Sequence, residues 1–237
     1  MSKSRRELLA EATTPDGEPL TLGIEGLEHV VRVRGQMLMG SRCSGSEQAM
    51  AQLAFPAGAA VNAARILIGG LGMGFTLRAV LDRVGAAARI TVVELLADVV
   101  HWNRGPLAAF AGHALDDARV SVHVGDLLDV LAGGEQSFDA ILLDIDNGPQ
   151  AFTVRSNERL YRADGLALLF RALRAGGVAV LWSAFSSPAF ERRLRRAGFD
   201  ARSVAVRARA GKGARHTLFA ATRPGEAAHA RGADRVD

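Results

Sequence analysis

From Arg65 onward, short apolar runs alternate without interruption with helical patterns. RILIGG, ITVVE, VSVHVGD, FDAILLDID and VAVLWSA are the runs, and each closes on glycine, an acid or a small residue. A continuous apolar run bounded by turn residues reads as a strand covered on both faces. FTLRAVLDRV, LLADVVHWN, DLLDVLAG, GLALLFRALRAGG and PAFERRLRRAGF carry helical spacing between them, the fourth with a glycine stop. ARSVAVRAR and HTLFAAT read as a closing antiparallel hairpin. This alternation predicts an α/β fold, a doubly wound and mostly parallel sheet. Ligands in such sheets bind beyond the carboxyl ends of the strands, where the strand order reverses.

The chain upstream reads differently. Residues 1–19 are polar and expected to be a flexible N-terminus, and residues 224–237 a disordered tail. Residues 20–60 are expected to form a small β-hairpin region and a helix. The strand is clearest in GLEHVVRVRG, where Val31 and Val33 alternate with Arg32 and Arg34. Ser46 is the expected cap of the helix EQAMAQLAF, which ends near Pro56. Residues 61–223 are then expected to form the α/β domain. No apolar stretch reaches the roughly 18 residues that a membrane span needs, so no membrane partner is expected. The N-terminus lacks the apolar core of a secretory signal.

Cysteine and charge narrow the function classes. The lone Cys43 precludes an internal disulfide, which fits a reducing, cytoplasmic location. The histidines (His29, His101, His113, His123, His216 and His229) are scattered without metal-ligand spacing, so no metal is expected. The net charge is +4, with arginines concentrated between Arg192 and Arg215. Aromatic residues do not interleave with them, so a solvated face is expected there and not a nucleic-acid partner.

The strand ends carry the chemistry. Gly69, Gly70, Gly72 and Gly74 follow the first strand with G-x-G-x-G spacing, not the dinucleotide G-x-G-x-x-G, which Phe75 breaks. That form is typical of folds that bind S-adenosylmethionine, because glycines let backbone approach a ligand and leave helix N–H groups pointing at it. Glu94 ends the second strand, where a carboxylate can accept both ribose hydroxyls, or can serve as a helix cap. Asp126, followed by Leu127, ends the third, where an acid can accept from the adenine amine while capping a helix. Asp144-Ile145-Asp146-Asn147-Gly148-Pro149 ends the fourth. Two acids at the tip of an apolar strand face desolvation and mutual repulsion, which a sulfonium or ammonium would relieve. Read as packing alone, the same segment is an Asx-type turn.

With these residues in place the chain resembles the spermidine synthase family, polyamine aminopropyltransferases within the class I S-adenosylmethionine-dependent methyltransferase superfamily. ARILIGGLGMGFTLRAVL, ITVVELLADVV, VHVGDLLDVL and FDAILLDIDNGP carry the likeness, with RGQMLMGSRCSGSEQAMAQLAF resembling that family's hairpin and first helix. The resemblance implies a Rossmann-like domain and transfer of an aminopropyl group from decarboxylated S-adenosylmethionine to an amine. It implies Asp144 as the group that orients and deprotonates the amine, and Gln36 as a donor contact. It assigns the donor to Gly69, Gly70, Gly72, Gly74, Glu94, Asp126, Leu127 and Asp144, and the acceptor to Asp146, Asn147 and Tyr161. It also implies a homodimer. The departures are specific. Gly72 stands where the family's loop carries an acid for the donor's ammonium, the acidic loop is two residues shorter, and Ser46, Glu47 and Gln48 replace a tyrosine-bearing acidic motif. Intact S-adenosylmethionine and methyl transfer to a small molecule is therefore the alternative, and a nucleoside-binding protein without turnover is a further one. Trp182 and Ser183, at the end of the fifth strand, are expected near the acceptor.

Overall fold

The computed structural model describes residues 6–57, 61–145, 155–209 and 212–225. Four strands open the chain: β1 (Arg6–Thr13), β2 (Pro19–Glu25), β3 (Glu28–Val33) and β4 (Gln36–Gly40), followed by helix α1 (Gly45–Ala54). The α/β part comprises β5 (Arg65–Gly69), α2 (Phe75–Leu81), β6 (Arg89–Glu94), α3 (Ala97–Arg104), β7 (Val120–Val124), α4 (Leu127–Ala132) and β8 (Phe138–Leu143). It continues through α5 (Ala163–Ala172), β9 (Leu173–Ser183), α6 (Pro188–Arg196), β10 (Asp200–Arg209) and β11 (Lys212–Thr222).

The second set of strands forms a seven-stranded sheet in the order β10-β11-β9-β8-β5-β6-β7. Pairings among β5, β6, β7, β8 and β9 are parallel, and only β11 with its two neighbours is antiparallel. Because successive side chains of a strand face opposite ways, Ile66 and Ile68 enter one core with Ile90 and Val92. Leu67 enters the other with Val93, Ile141 and Leu143. Covering both faces is what made these strands read as unbroken apolar runs.

The N-terminal strands form a separate antiparallel sheet in the order β1-β2-β3-β4. Its Leu20, Leu22, Val31 and Val33 join the same core as Ile66 and Ile68. On its wet side Arg32 grips Glu25 with Nε to Oε1 at 2.8 Å and Nη2 to Oε2 at 2.9 Å.

Four sequence readings change. Residues 6–13, expected to be loose, pair with β2 from Arg6–Glu25 to Thr13–Pro19. This strand was hard to read because it is a mostly exposed edge that packs on the core only through small residues, Ala10 and Ala12. The helix of GLALLFRALRAGG ends at Ala172, and the chain turns extended at Leu173, which is fully buried and pairs with Phe138. The N-cap of α1 is Ser44; Ser46 lies buried inside the first turn. That helix, grouped with the hairpin from sequence, packs chiefly on α2, β9 and β10. No helix among the described residues is long and apolar enough to cross a membrane.

Gly70 connects fold and site. Its φ is +86°, and a Cβ would collide with the Asp144 carbonyl oxygen, a backbone atom that cannot step aside. Gly70→Ala should therefore destabilise the protein by about 2 kcal/mol or more, measured by urea denaturation. Full stability in the variant would show that the loop relaxes freely.

Candidate functional site

The parallel register places the acids. Gly69 pairs with Val93 on one side and Leu143 on the other. One residue further on, Glu94 and Asp144 stand at the two sides of the glycine loop. Gly70 N–H donates to the Val93 carbonyl at 2.8 Å, and Asp144 N–H to the Gly69 carbonyl at 2.9 Å. The crevice beyond these ends is the reversal point of the sheet, since β5 has β6 on one flank and β8 on the other.

Glu94 is buried, and its two oxygens accept the Leu71 N–H at 2.9 Å and the Leu96 N–H at 3.0 Å. Burial raises its pKa, and the backbone amides hold it back. The Leu95 and Gly72 amides reach it as well, so a ligand hydroxyl would share its oxygens with four backbone donors. Asp126 caps α4, its Oδ1 accepting the Leu128 N–H at 2.8 Å. Gly70, Gly72, Glu94, Asp126, Leu127 and Asp144 all line one apolar-walled cavity.

The N-terminal sheet closes that cavity with Leu38 and Met39 of β4. Gln36 opens the same strand at an exposed turn, after Arg34 and Gly35 with positive φ, and lines neither described cavity. Gly69 and Gly74 serve packing: a Cβ would meet Leu127 Cδ2 at 2.6 Å and Ala111 Cβ at 2.9 Å, respectively. Asn103 fastens the loop from α3, donating from Nδ2 to the Gly72 carbonyl at 2.8 Å and to Val99 at 2.9 Å. An Asn four residues after Val99, in phase with the apolar positions of α3, is the sequence signal for such a brace.

A second cavity adjoins the first and shares Leu38, Met39, Gly72 and Asp144 with it. Its other walls include Cys43, Glu47, Phe75 and Trp182. Asp144 thus stands at the junction. The residue opens on the crevice, but its carboxyl is packed deep, and Thr76 Oγ1 donates to Oδ2 at 2.6 Å. Burial raises its pKa against that single hydrogen bond. Glu47, on the first turn of α1, is pushed up to about 7 by burial first and by the Asp144 charge second. Among the described residues no cation pairs with either acid. Such a pair favours a cationic guest, because uncompensated buried carboxylates resist ionisation.

Tyr161, expected at the acceptor, lies in the core instead. It is 2% exposed, meets Phe190 edge-on at 5.5 Å and donates its hydroxyl to the Ile145 carbonyl at 3.2 Å, bracing the strand end that carries Asp144. Trp182 does reach the second cavity, while Ser183 is buried and donates to the Phe185 carbonyl at 2.8 Å. Asp146 and Asn147 lie outside the described residues. Sequence reasoning noted Glu47 only as part of a departure; its approach to Asp144 depends on how α1 docks, which no local pattern reveals.

Residues 48–196 match the spermine/spermidine synthase domain. The chain belongs to this family. A polyamine aminopropyltransferase of Korarchaeum cryptofilum is 29% identical over 122 residues, 52% of this chain and 36% of that protein. One from Bacillus mycoides is 36% identical over 83 residues, 35% of this chain and 30% of its relative. The aligned parts thus span about a third of the length of these curated relatives. Spermidine synthase from Thermotoga maritima shares the fold at TM-score 0.72 and 17% identity, over 92% of this chain and 73% of that one. A spermidine synthase in complex with the transition-state analogue AdoDATO does so at TM-score 0.74 and 17% identity, over 92% of this chain and 74% of its own. The family's α/β fold, with a small N-terminal antiparallel sheet, is the one described above.

The Glu47 carboxyl makes stability pH-dependent. Its folded-state pKa of about 7 exceeds the ordinary 4.5, so the folded protein holds the proton more tightly than the unfolded chain. The associated stability is fully present below 4.5 and is lost as pH rises through about 7. Glu47→Gln should therefore be more stable than the unaltered protein at alkaline pH, by at most about 3 kcal/mol. The gap should narrow toward acid pH. Thermal melts across pH check this, and a gap that widens in acid would refute it.

Proposed function

We propose that this protein transfers an aminopropyl group from decarboxylated S-adenosylmethionine to a small amine. The observation that carries the reading is Asp144 at the junction of two adjoining cavities, one bearing Glu94 and Asp126, the other Glu47 and Trp182. In this reading the first cavity holds the donor's nucleoside, with Glu94 toward the ribose and Asp126 toward the base. The apolar walls of Leu38 and Met39 exclude water along the donor's arm.

Asp144 lies where the donor carbon and the acceptor nitrogen would meet. The sulfonium is already a good leaving group. The difficulty is the acceptor, an ammonium with a pKa near 10. A carboxylate raised by burial is a better base toward it than an ordinary aspartate. The ammonium gives one proton to the carboxylate pair, and the freed lone pair attacks the carbon beside sulfur. The carbon–sulfur bonding electrons leave with sulfur as a neutral thioether. A secondary ammonium and one proton are the other products.

One observation favours methyl transfer as a second reading. Gly72 offers no acid toward a donor ammonium, so a donor that keeps its carboxylate meets no repulsion there. A Cβ at Gly72 would touch only Met39, with its sulfur 3.6 Å away, and the φ of +55° is one that Asp tolerates. Gly72→Asp should therefore shift donor preference toward the decarboxylated nucleoside. Titration calorimetry with both nucleosides checks this, and a preference unchanged by the new acid would argue against an ammonium in that position.

Asp144→Asn tests the reaction. Turnover should fall by roughly 10² to 10⁴-fold while nucleoside affinity stays nearly the same. Released methylthioadenosine or S-adenosylhomocysteine identifies which group moved. Unchanged turnover would remove Asp144 from the proton-accepting role, and failure of either nucleoside to bind at millimolar concentration would sink both transfer readings. A cytoplasmic homodimer is part of the proposal, with exposed Leu8 and Leu9 on the β1 edge as its support.

A further inference from the structure

The junction acids do not end at the cavity wall. Ser46 is 3% exposed, and its hydroxyl donates to Glu47 Oε2 at 2.8 Å. The Ser46 hydroxyl oxygen itself lies 3.3 Å from Nδ1 of His216, on β11. His216 stands edge-on to Trp182 at 4.7 Å and is only half-buried. A continuous polar chain thus runs from the Asp144–Glu47 pair to a partly solvent-accessible imidazole, through a side chain otherwise enclosed by protein.

We propose that this chain is a proton exit: the proton surrendered by the attacking amine passes from Asp144 and Glu47 through the Ser46 hydroxyl to His216 and then to solvent. The inference rests on the transfer reading above, and it assigns Glu47 and His216 roles in handling the proton. With Glu47 ionised, the Ser46 hydroxyl donates to it. Once Glu47 holds the proton, the hydroxyl turns, accepts from the carboxyl and donates to an unprotonated Nδ1. A hydroxyl can do both because it carries one donor and two acceptor sites. No bond other than O–H and N–H changes along the path, and one proton leaves per transfer.

The surroundings suit this traffic. Glu47 is faced by Asp144, just past β8, and by Ser46 from its own helix, and Cys43 from the preceding loop lines the same cavity. Thr76 of α2 reaches the pair through Asp144. His216 has burial as the cause of its lowered proton affinity, which keeps the ring neutral and able to accept near neutral pH. Glu47, pushed up to about 7, both takes and releases a proton there. Arg209 is associated with Cys43, not with the acids.

The test combines kinetics with direct titration. His216→Ala should lower kcat by about tenfold or more, with donor affinity unchanged, and imidazole in the buffer should restore it. Glu47→Gln should remove an acid limb near about 7 from the rate profile. In the ligand-free protein, followed by NMR, the His216 ring signals should shift as Glu47 titrates near about 7, because the Ser46 hydroxyl then turns from Glu47 to Nδ1, and Glu47→Gln should abolish that step. Wild-type kcat in His216→Ala would overturn the proposal, as would a loss that imidazole does not restore. A His216 titration indifferent to Glu47→Gln would overturn it too. If the unaltered protein releases no thioether nucleoside with any amine, the transfer reading falls. The titration then still reports whether Glu47 and His216 are linked.

Discussion

Hydrogen-bonded register, more than any single contact, decides where this protein can do chemistry. Gly69 sits between Val93 and Leu143 in a parallel array. The next residue of each flanking strand is an acid, so two carboxylates arrive at the same height on either side of Gly70, which has no side chain to keep them apart. A slip of one residue would turn Glu94 and Asp144 into the helical layers, where ionised groups could not be tolerated. The apolar runs that bury both faces of the sheet therefore also hold the site in alignment.

Burial then sets what those acids can do. Glu94 is satisfied by backbone amides and acts as part of the framework. Asp144 has one hydroxyl and a nearby like charge, and so remains poised for a proton or a cation. The difference is one of environment, since both are carboxylates at strand ends. Thr76 and Ser46 matter for the same reason: small hydroxyls reach into places where a charged partner would quench the acid.

Much of this was legible in the chain itself. The apolar runs announced their strands, and an acid at each strand end announced Glu94, Asp126 and Asp144, because side-chain period and turn chemistry are local properties. Docking was not legible. Glu47 comes to Asp144 because α1 lies across α2 and β9, and His216 joins Ser46 across 170 residues of sequence. Tyr161 was misread because a polar tip near an acidic loop looks like a ligand contact, whereas its ring is wanted by Phe190 and its hydroxyl by a backbone carbonyl. Gln36 was carried over by likeness, yet it opens β4 at an exposed turn, and an irregularity in the β3–β4 pairing, which skips Leu38, lets Leu38 and Met39 both reach the crevice.

The wall formed by Leu38 and Met39 has a consequence of its own. Both side chains border both cavities, and methionine is unbranched and readily reshaped. A molecule that reshapes this partition from one side would change the surface met from the other. If that reshaping differs between the filled and empty chamber, the two occupancies are linked, and whatever factor the first guest imposes on the second, the second returns to the first.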